Sequence, residues 1–495
     1  MKLTKILIVC LALMALCLTG CNGTENNVEE PTANPNAGIE KVSMILTADD
    51  FAKLDEYPDL KELDASGSTC YEDILRYADS HPGIKVTYTV PLGSQALSNA
   101  SAEATLEASD SNFEELMENL KYLPNITRIS LPSTNLDREQ LASLSERYSN
   151  IALDYTVQIL DETYGPAVVE LNLSAMTSEQ VTDVAKKLPL LPSVTNVELM
   201  TEDGTCALTK ADVKALQDSM PGTLFNYSFD LFGKTVSTTD ESISYYDLKL
   251  TNESEAEVRE ALDILTSCTY FKLDDCGIDS TVMASIRDDY PDVKVVWRIY
   301  CDRFTMCTDE TMVRMTFGLD DTNNHELKYC TDVTYMDLGH NDDLTDVSFV
   351  QYMPNLECVI LSGSPVSDIS AFADHDKLLW MELAFCSKLQ DISSMTSCDN
   401  LKYLNVSYTK VSDISGLEKL PLDRFNAMNT KISRDDQKLF EQWHPDCISR
   451  WEGKQPYGYG WRYDDYGYTF FEYYANMRVI FRYADKQYTG NRKER

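Results

Sequence analysis

Val333-x-x-Met336-x-Leu338, Leu356-x-x-Val359-x-Leu361, Leu378-x-x-Met381-x-Leu383, Leu401-x-x-Leu404-x-Val406 and Leu422-x-x-Phe425-x-Ala427 repeat one apolar triplet five times, with starts 23, 22, 23 and 21 residues apart. Each triplet is followed by a further apolar anchor, Leu344, Val366, Leu389, Val411 or Ile432. Four of the five are also followed by Asp346-Val347, Asp368-Ile369, Asp391-Ile392 or Asp413-Ile414. A unit this short offers one strand and cannot bury its apolar residues alone. Stacked copies share a continuous core, so the pattern predicts an α/β parallel-sheet solenoid over residues 333–433.

A longer, looser period lies upstream. Short strands at Leu63-Asp64-Ala65, Ile129-Ser130-Leu131, Val197-Glu198-Leu199, Phe271-Lys272-Leu273 and Met336-Asp337-Leu338 start 66, 68, 74 and 65 residues apart. Within each unit an alternating run follows, as in Ile84-Val86-Tyr88-Val90, Ile151-Leu153-Tyr155-Val157, Phe225-Tyr227-Phe229 and Val293-Val295-Trp297-Ile299. Alternation at period two predicts strands. Amphipathic segments at 138–148, 210–220 and 280–290, and at 113–123, 178–188 and 255–265, predict helices, with Thr177-Ser178-Glu179-Gln180 and Asn252-Glu253-Ser254-Glu255 as helix starts. The long unit therefore reads strand, helix, strand, strand, helix. Its last copy enters the first short repeat in register at Met336. Residues 43–332 are thus expected to be degenerate long-period repeats of the same solenoid, and residues 434–495 an aromatic C-terminal cap or module.

The short repeat resembles a leucine-rich repeat, and Val366-Ser367-Asp368-Ile369-Ser370 and Val411-Ser412-Asp413-Ile414-Ser415 resemble the 22-residue repeat of bacterial internalins. The resemblance covers about a hundred residues. It implies a scaffold for recognition at the cell surface. Where that family places Asn after the strand, this chain has Asn341, Ser364, Cys386, Thr409 and Thr430, so a weaker turn ladder is expected.

The N-terminus has the form of an export signal: Lys2 and Lys5 precede an apolar run from Ile6 to Leu18, too short to span a bilayer. Leu18-Thr19-Gly20-Cys21 resembles a lipoprotein lipobox, which implies cleavage after residue 20 and lipid on Cys21. Residues 21–42 then read as a flexible tether rich in Asn, Glu, Pro, Thr and Gly. The expected location is outside the cell, anchored to its membrane. Discounting Cys10, Cys17 and Cys21, eleven of the 14 cysteines remain, an odd number, with Cys301 and Cys307 placed for a local bridge across a hairpin.

Eighty Asp and Glu against 43 Lys and Arg set a net charge of −37, which argues against a nucleic-acid partner. Five scattered histidines, with no Gly-x-Ser-x-Gly elbow, His-Glu-x-x-His, Cys-x-x-Cys, phosphate loop or dinucleotide fingerprint, give no basis for an enzyme, a metal or a cofactor. Binding is the expected function. Residues flanking the buried anchors should face out on the concave side of the sheet, in columns about 4.8 Å apart. One column is Tyr335, Cys358, Trp380, Tyr403 and Arg424, the next Asp337, Ile360, Glu382, Asn405 and Asn426. A third, beyond the last anchor, holds Gly339, Gly363, Phe385, Tyr408 and Asn429. From these, Tyr335, Asp337, Trp380, Glu382, Phe385, Tyr403, Asn405, Tyr408 and Arg424 form the expected partner-binding surface, an aromatic patch with charged edges suited to a protein ligand; the alternative is that the rings stack along the sheet to shield it or are covered by the C-terminal segment. The segment 451–495 carries nine tyrosines, two tryptophans, three phenylalanines and a local charge of +2. It reads either as a cap packed on the last repeat or as a module stacking on glycan or cell-wall polymer through Trp451, Tyr457, Tyr459, Trp461 and Tyr463.

Overall fold

A computed structural model describes residues 34–464 and 466–492. The expected signal peptide, the lipidated Cys21 and the tether up to residue 33 lie outside the described residues. The chain divides into two compact units, one ending at Ser228 and the other beginning at Phe229.

The first unit contains three parallel three-stranded sheets: Lys41–Ser43, Glu62–Asp64 and Lys85–Thr87; Glu103–Thr105, Arg128–Leu131 and Ala152–Tyr155; Glu170–Asn172, Asn196–Glu198 and Leu224–Asn226. The sheet begins within the span expected to be tether: Lys41–Ser43 is a paired strand, and the Gly38 N–H donates to Asp59 at 2.8 Å. Helices Tyr71–Ser80, Arg138–Arg147 and Lys210–Ser219 connect the second and third strands of each sheet. Asp137 and Gln140, and Thr209 and Asp212, close capping boxes that satisfy the first turns of the latter two.

Two features depart from the sequence reading. The alternating runs change partner halfway: Lys85–Thr87 pairs in parallel with the sheet, whereas Thr89–Leu92 pairs antiparallel with Gln95–Ser98 in a hairpin. Ala152–Tyr155 and Val157–Ile159 do the same around Thr156. Each long repeat also holds one more strand than expected. Glu103–Thr105, Glu170–Asn172, Ser242–Tyr246 and Met312–Arg314 follow the hairpins and open the next sheet. Two of these bury only a single Ala or Leu between exposed polar residues, too little to register as a period. The long repeats thus form separate short sheets rather than one continuous ladder.

The second unit contains a sheet of Ser242–Tyr246, Tyr270–Asp274 and Lys294–Cys301 in parallel, joined by antiparallel Phe304–Cys307. Its register sets Cys301 opposite Phe304 and Cys307 opposite Arg298, so the two cysteines do not face each other and are not bridged. The expected local bridge is therefore absent. Among the described residues eleven cysteines stand outside disulfides, and eight of them are buried.

A seven-stranded parallel sheet follows: Met312–Arg314, Tyr335–Asp337, Cys358–Ile360, Trp380–Glu382, Tyr403–Asn405, Arg424–Asn426 and Ile448–Arg450. Met336, Val359, Met381, Leu404 and Phe425 stand in one register row, and all are fully buried. This is the short-repeat core, one strand longer at each end than the span 333–433. On its far side run short 3-10 turns, among them Ser348–Tyr352, Ser370–Phe372, Ser393–Ser397 and Ser415–Lys419. The repeated Asp has a local cause: Asp346, Asp368 and Asp391 each accept the backbone N–H two residues on at 2.8 Å, and Asp413 does so at 2.9 Å, starting those turns. The turn ladder is weaker away from Asn341, as expected. Asn341 makes four backbone contacts of 2.8 to 2.9 Å, whereas the Cys386 thiol reaches one carbonyl at 3.4 Å.

Candidate binding surface

The outward columns of the seven-stranded sheet are not exposed. Trp380, Glu382, Cys358, Asn405 and Asn426 are fully buried, and Asp337 and Arg424 nearly so. What covers them is the segment from residue 451 onward, which leaves the last strand and returns across the sheet to the first. Trp461, Tyr474, Met477 and Phe481 enter a second core with Cys358, Ile360 and Trp380, and Tyr335 and Tyr403 pack at its edge. Helix Glu472–Ile480 supplies Tyr474 and Met477 from one face. Each side chain buried this way contributes about 1.5–3 kcal/mol.

The polar contacts are specific. The Glu382 carboxylate accepts from Trp461 Nε1 at 2.6 Å, Arg462 Nε at 3.1 Å, Arg462 Nη2, and Ser362 Oγ at 3.0 Å. Burial works against the Arg462 cation, but the paired Glu382 more than offsets it and holds the guanidinium above its ordinary range. The Arg462 guanidinium also lies 4.3 Å from the Tyr457 ring and 5.1 Å from that of Tyr474. Asn405 and Asn426 both donate to the Pro456 carbonyl at 3.0 Å. Asp337 accepts from Tyr483 at 2.5 Å; burial raises its pKa, and the tyrosine hydrogen bond only partly opposes that. Arg424 stacks 3.9 Å over Phe471. At the far end Asn491 exchanges two bonds with the Arg314 backbone, at 2.7 and 3.0 Å.

The two surfaces expected from the sequence are therefore the two sides of one internal interface. Of the partner-binding set, Asp337, Trp380, Glu382, Asn405 and Arg424 are buried under the chain's own C-terminal segment, and Tyr335 and Tyr403 are half-buried at its edge. Of the glycan-binding set, Trp461 is fully buried, and Trp451 packs on Phe425 and Phe440 while donating to Glu441. Tyr457 and Tyr463 are partly covered, and only Tyr459 is exposed. A cap was expected on the last repeat; this one spans the whole sheet.

Phe385 and Tyr408 remain outside that core, in a column along the rim. The column is defined by backbone: Phe317, His340, Gly363, Phe385, Tyr408 and Asn429 all have φ between +54° and +81°. His340, not Gly339, is thus the rung preceding Gly363. Phe317 stacks on His340 with 5.2 Å between centroids, and Phe385 on Tyr408 with 4.5 Å. Phe317 is 58% exposed and Phe385 41%. The sequence reading missed Phe317 and His340, although counting two residues past each third anchor marks the latter.

No protein-family description and no curated protein matches the sequence. Among solved structures, an internalin of Listeria monocytogenes is similar over 72% of this chain and 83% of its own, with 16% identity and a TM-score of 0.23. A leucine-rich-repeat protein of Leptospira interrogans is similar over 81% of this chain and 92% of its own, with 14% identity and a TM-score of 0.28. A plant peptide-hormone receptor in complex with its peptide is similar over 66% of this chain and 50% of its own, with 11% identity and a TM-score of 0.21.

Proposed function

We propose that this protein is a non-enzymatic binding protein, exported and lipid-anchored through Cys21, whose repeat scaffold recognises a protein partner at the aromatic rim beside the capped sheet. The observation carrying this reading is the backbone of that rim. Phe317, His340, Phe385 and Tyr408 sit at φ from +61° to +65°, where a bulky L-residue costs about 1 kcal/mol or more. Gly363 and Asn429 fill the same position cheaply. Aromatic rings kept at a strained site, with Phe317 and Phe385 facing solvent, have the composition of a protein-binding hot spot. Export is supported by the apolar run ending at Leu18-Thr19-Gly20-Cys21, and among the described residues no helix is long and apolar enough to cross a membrane.

The test immobilises the acyl-free chain from Asn22 and compares it with the double variant Phe317→Ala/Phe385→Ala against surface proteins and a glycan panel. A protein retained by the first and lost by the second supports the rim. Equal retention by both, or retention of glycan alone, removes it.

A further inference from the structure

Two cores share the seven-stranded sheet, one on each face. The row Met336, Val359, Met381, Leu404 and Phe425 is packed by the repeats themselves, whereas Cys358, Ile360 and Trp380 on the other face are packed by segment 451–492. Losing the segment therefore costs the second core and leaves the first in place. The segment also has a backbone fold of its own. The Asp464 N–H donates to the Thr469 carbonyl at 2.9 Å, the Phe471 N–H donates to the Arg462 carbonyl at 3.0 Å, and helix Glu472–Ile480 follows. Among the described residues its backbone-to-backbone bonds with the repeats lie only at Asn491, which accepts from Thr305 at 2.6 Å and donates to Arg314 at 3.0 Å. At its root Gly453 holds φ +138°, where a residue with a side chain would be strained.

The contact between segment and sheet is incompletely satisfied. Trp380 Nε1, Tyr473 Oη, Asn426 Oδ1 and Arg450 Nε are buried there with no hydrogen-bond partner among the described residues. Trp380 and Tyr473 stack on each other with 5.7 Å between centroids. Asn426 and Arg450 are register partners on the last two strands, against Pro456 and Gly460 of the segment. Each of these atoms gives up bonds to water when the segment closes and regains them when it opens, which narrows the difference between the two states. No disulfide ties the segment down.

We infer that segment 451–492 is an autoinhibitory strap, which leaves the sheet as one unit while the repeats stay folded and so uncovers Tyr335, Ile360, Trp380 and Tyr403 as an aromatic face. Closed, the strap withholds this face and leaves only the rim open to a partner. Opening of this kind takes less free energy than global unfolding, because one core of two and few backbone bonds are given up. The rim reading above stands on different residues and is independent of this one.

The experiment treats the full chain from Asn22, carrying no acyl group, with a water-soluble maleimide in native buffer and follows each thiol by peptide mass spectrometry. Cys358 lies under the strap, Cys386 and Cys398 lie within the repeats, and all three are fully buried. Cys358 is expected to react slowly, yet at least about 100-fold faster than Cys386 or Cys398. Arg462→Ala is expected to speed Cys358 by at least about 100-fold more and to leave the other two unchanged. Tyr473→Phe, which deletes a buried hydroxyl without a partner, is expected to slow Cys358 about fivefold. Equal rates for the three thiols in the wild type overturn the inference, since the strap would then open only when the repeats unfold. So does a Tyr473→Phe chain in which Cys358 reacts faster, or an Arg462→Ala chain in which all three thiols accelerate together.

Discussion

A carboxylate taken out of water costs several kcal/mol unless charge and hydrogen bonds replace its hydration, and Glu382 has four donors doing so. Two of them belong to Arg462, so Arg462→Ala leaves a buried anion with only Trp461 and Ser362. That variant is expected to lose about 3–5 kcal/mol of cap stability, read as an earlier denaturant midpoint in tryptophan fluorescence. Replacing the pair together, Glu382→Leu/Arg462→Met, is expected to recover most of the loss. If the double variant is as unstable as the single one, the pair is not what holds the segment. Asp337 adds a pH dependence of known sign. Its folded pKa is raised by burial above the ordinary 3.8, so the folded state binds a proton that the unfolded chain releases. Its contribution is therefore fully present below 3.8 and is lost as pH rises through the folded value. Titrating the midpoint downward from neutral pH should show Asp337 adding stability, and Asp337→Asn should remove that slope. A slope unchanged in Asp337→Asn would assign it to another group.

At the scale of elements, the returning segment 451–492 decides which chemistry the protein presents. Its removal exposes Trp380, Ile360 and the thiol of Cys358, all now buried. In the intact chain Cys358 is expected to resist a water-soluble thiol reagent, and truncation after Arg450 should make it react while increasing dye binding to exposed apolar surface. Fast modification of Cys358 in the intact protein would mean that the segment opens readily. The short repeats were legible because each strand sets the same inward residue every 21 to 23 positions, and Met336, Val359, Met381, Leu404 and Phe425 are that row. The alternating runs were legible as strands but not in their pairing, because period two is the same whether the partner is parallel or antiparallel. The cap was legible as aromatic, and its covering of the sheet only as one alternative that no residue spacing could select. Glu382 and Arg462 are 80 residues apart, and no local period records a contact made only by side chains. The rim was half legible: the spacing marks Phe385 and Tyr408, but the left-handed backbone that singles them out is visible only in three dimensions.

For the whole molecule the dominant fact is charge. At −37 the chain repels itself, and the exposed ion pairs, such as Lys41 with Glu62 and Lys61 with Glu40, are screened by solvent and contribute little to stability. Self-repulsion acts over the Debye length, about 30 Å at 0.01 M salt and about 8 Å at 0.15 M. Salt therefore removes far more unfavourable energy between distant carboxylates than it takes from close pairs. The buried Glu382 and Arg462 pair, shielded from solvent ions, should be nearly indifferent to it. Raising ionic strength across that interval is expected to lift the thermal midpoint by about 2–4 °C, the shift that roughly 1 kcal/mol produces in units of this size. Because the chain divides into two compact units, the scan should be followed by calorimetry, where each unit can show its own transition. A midpoint that falls with salt would mean that the surface pairs outweigh the repulsion. The acidic surface would then be a stabilising network rather than a load that the packed repeats withstand.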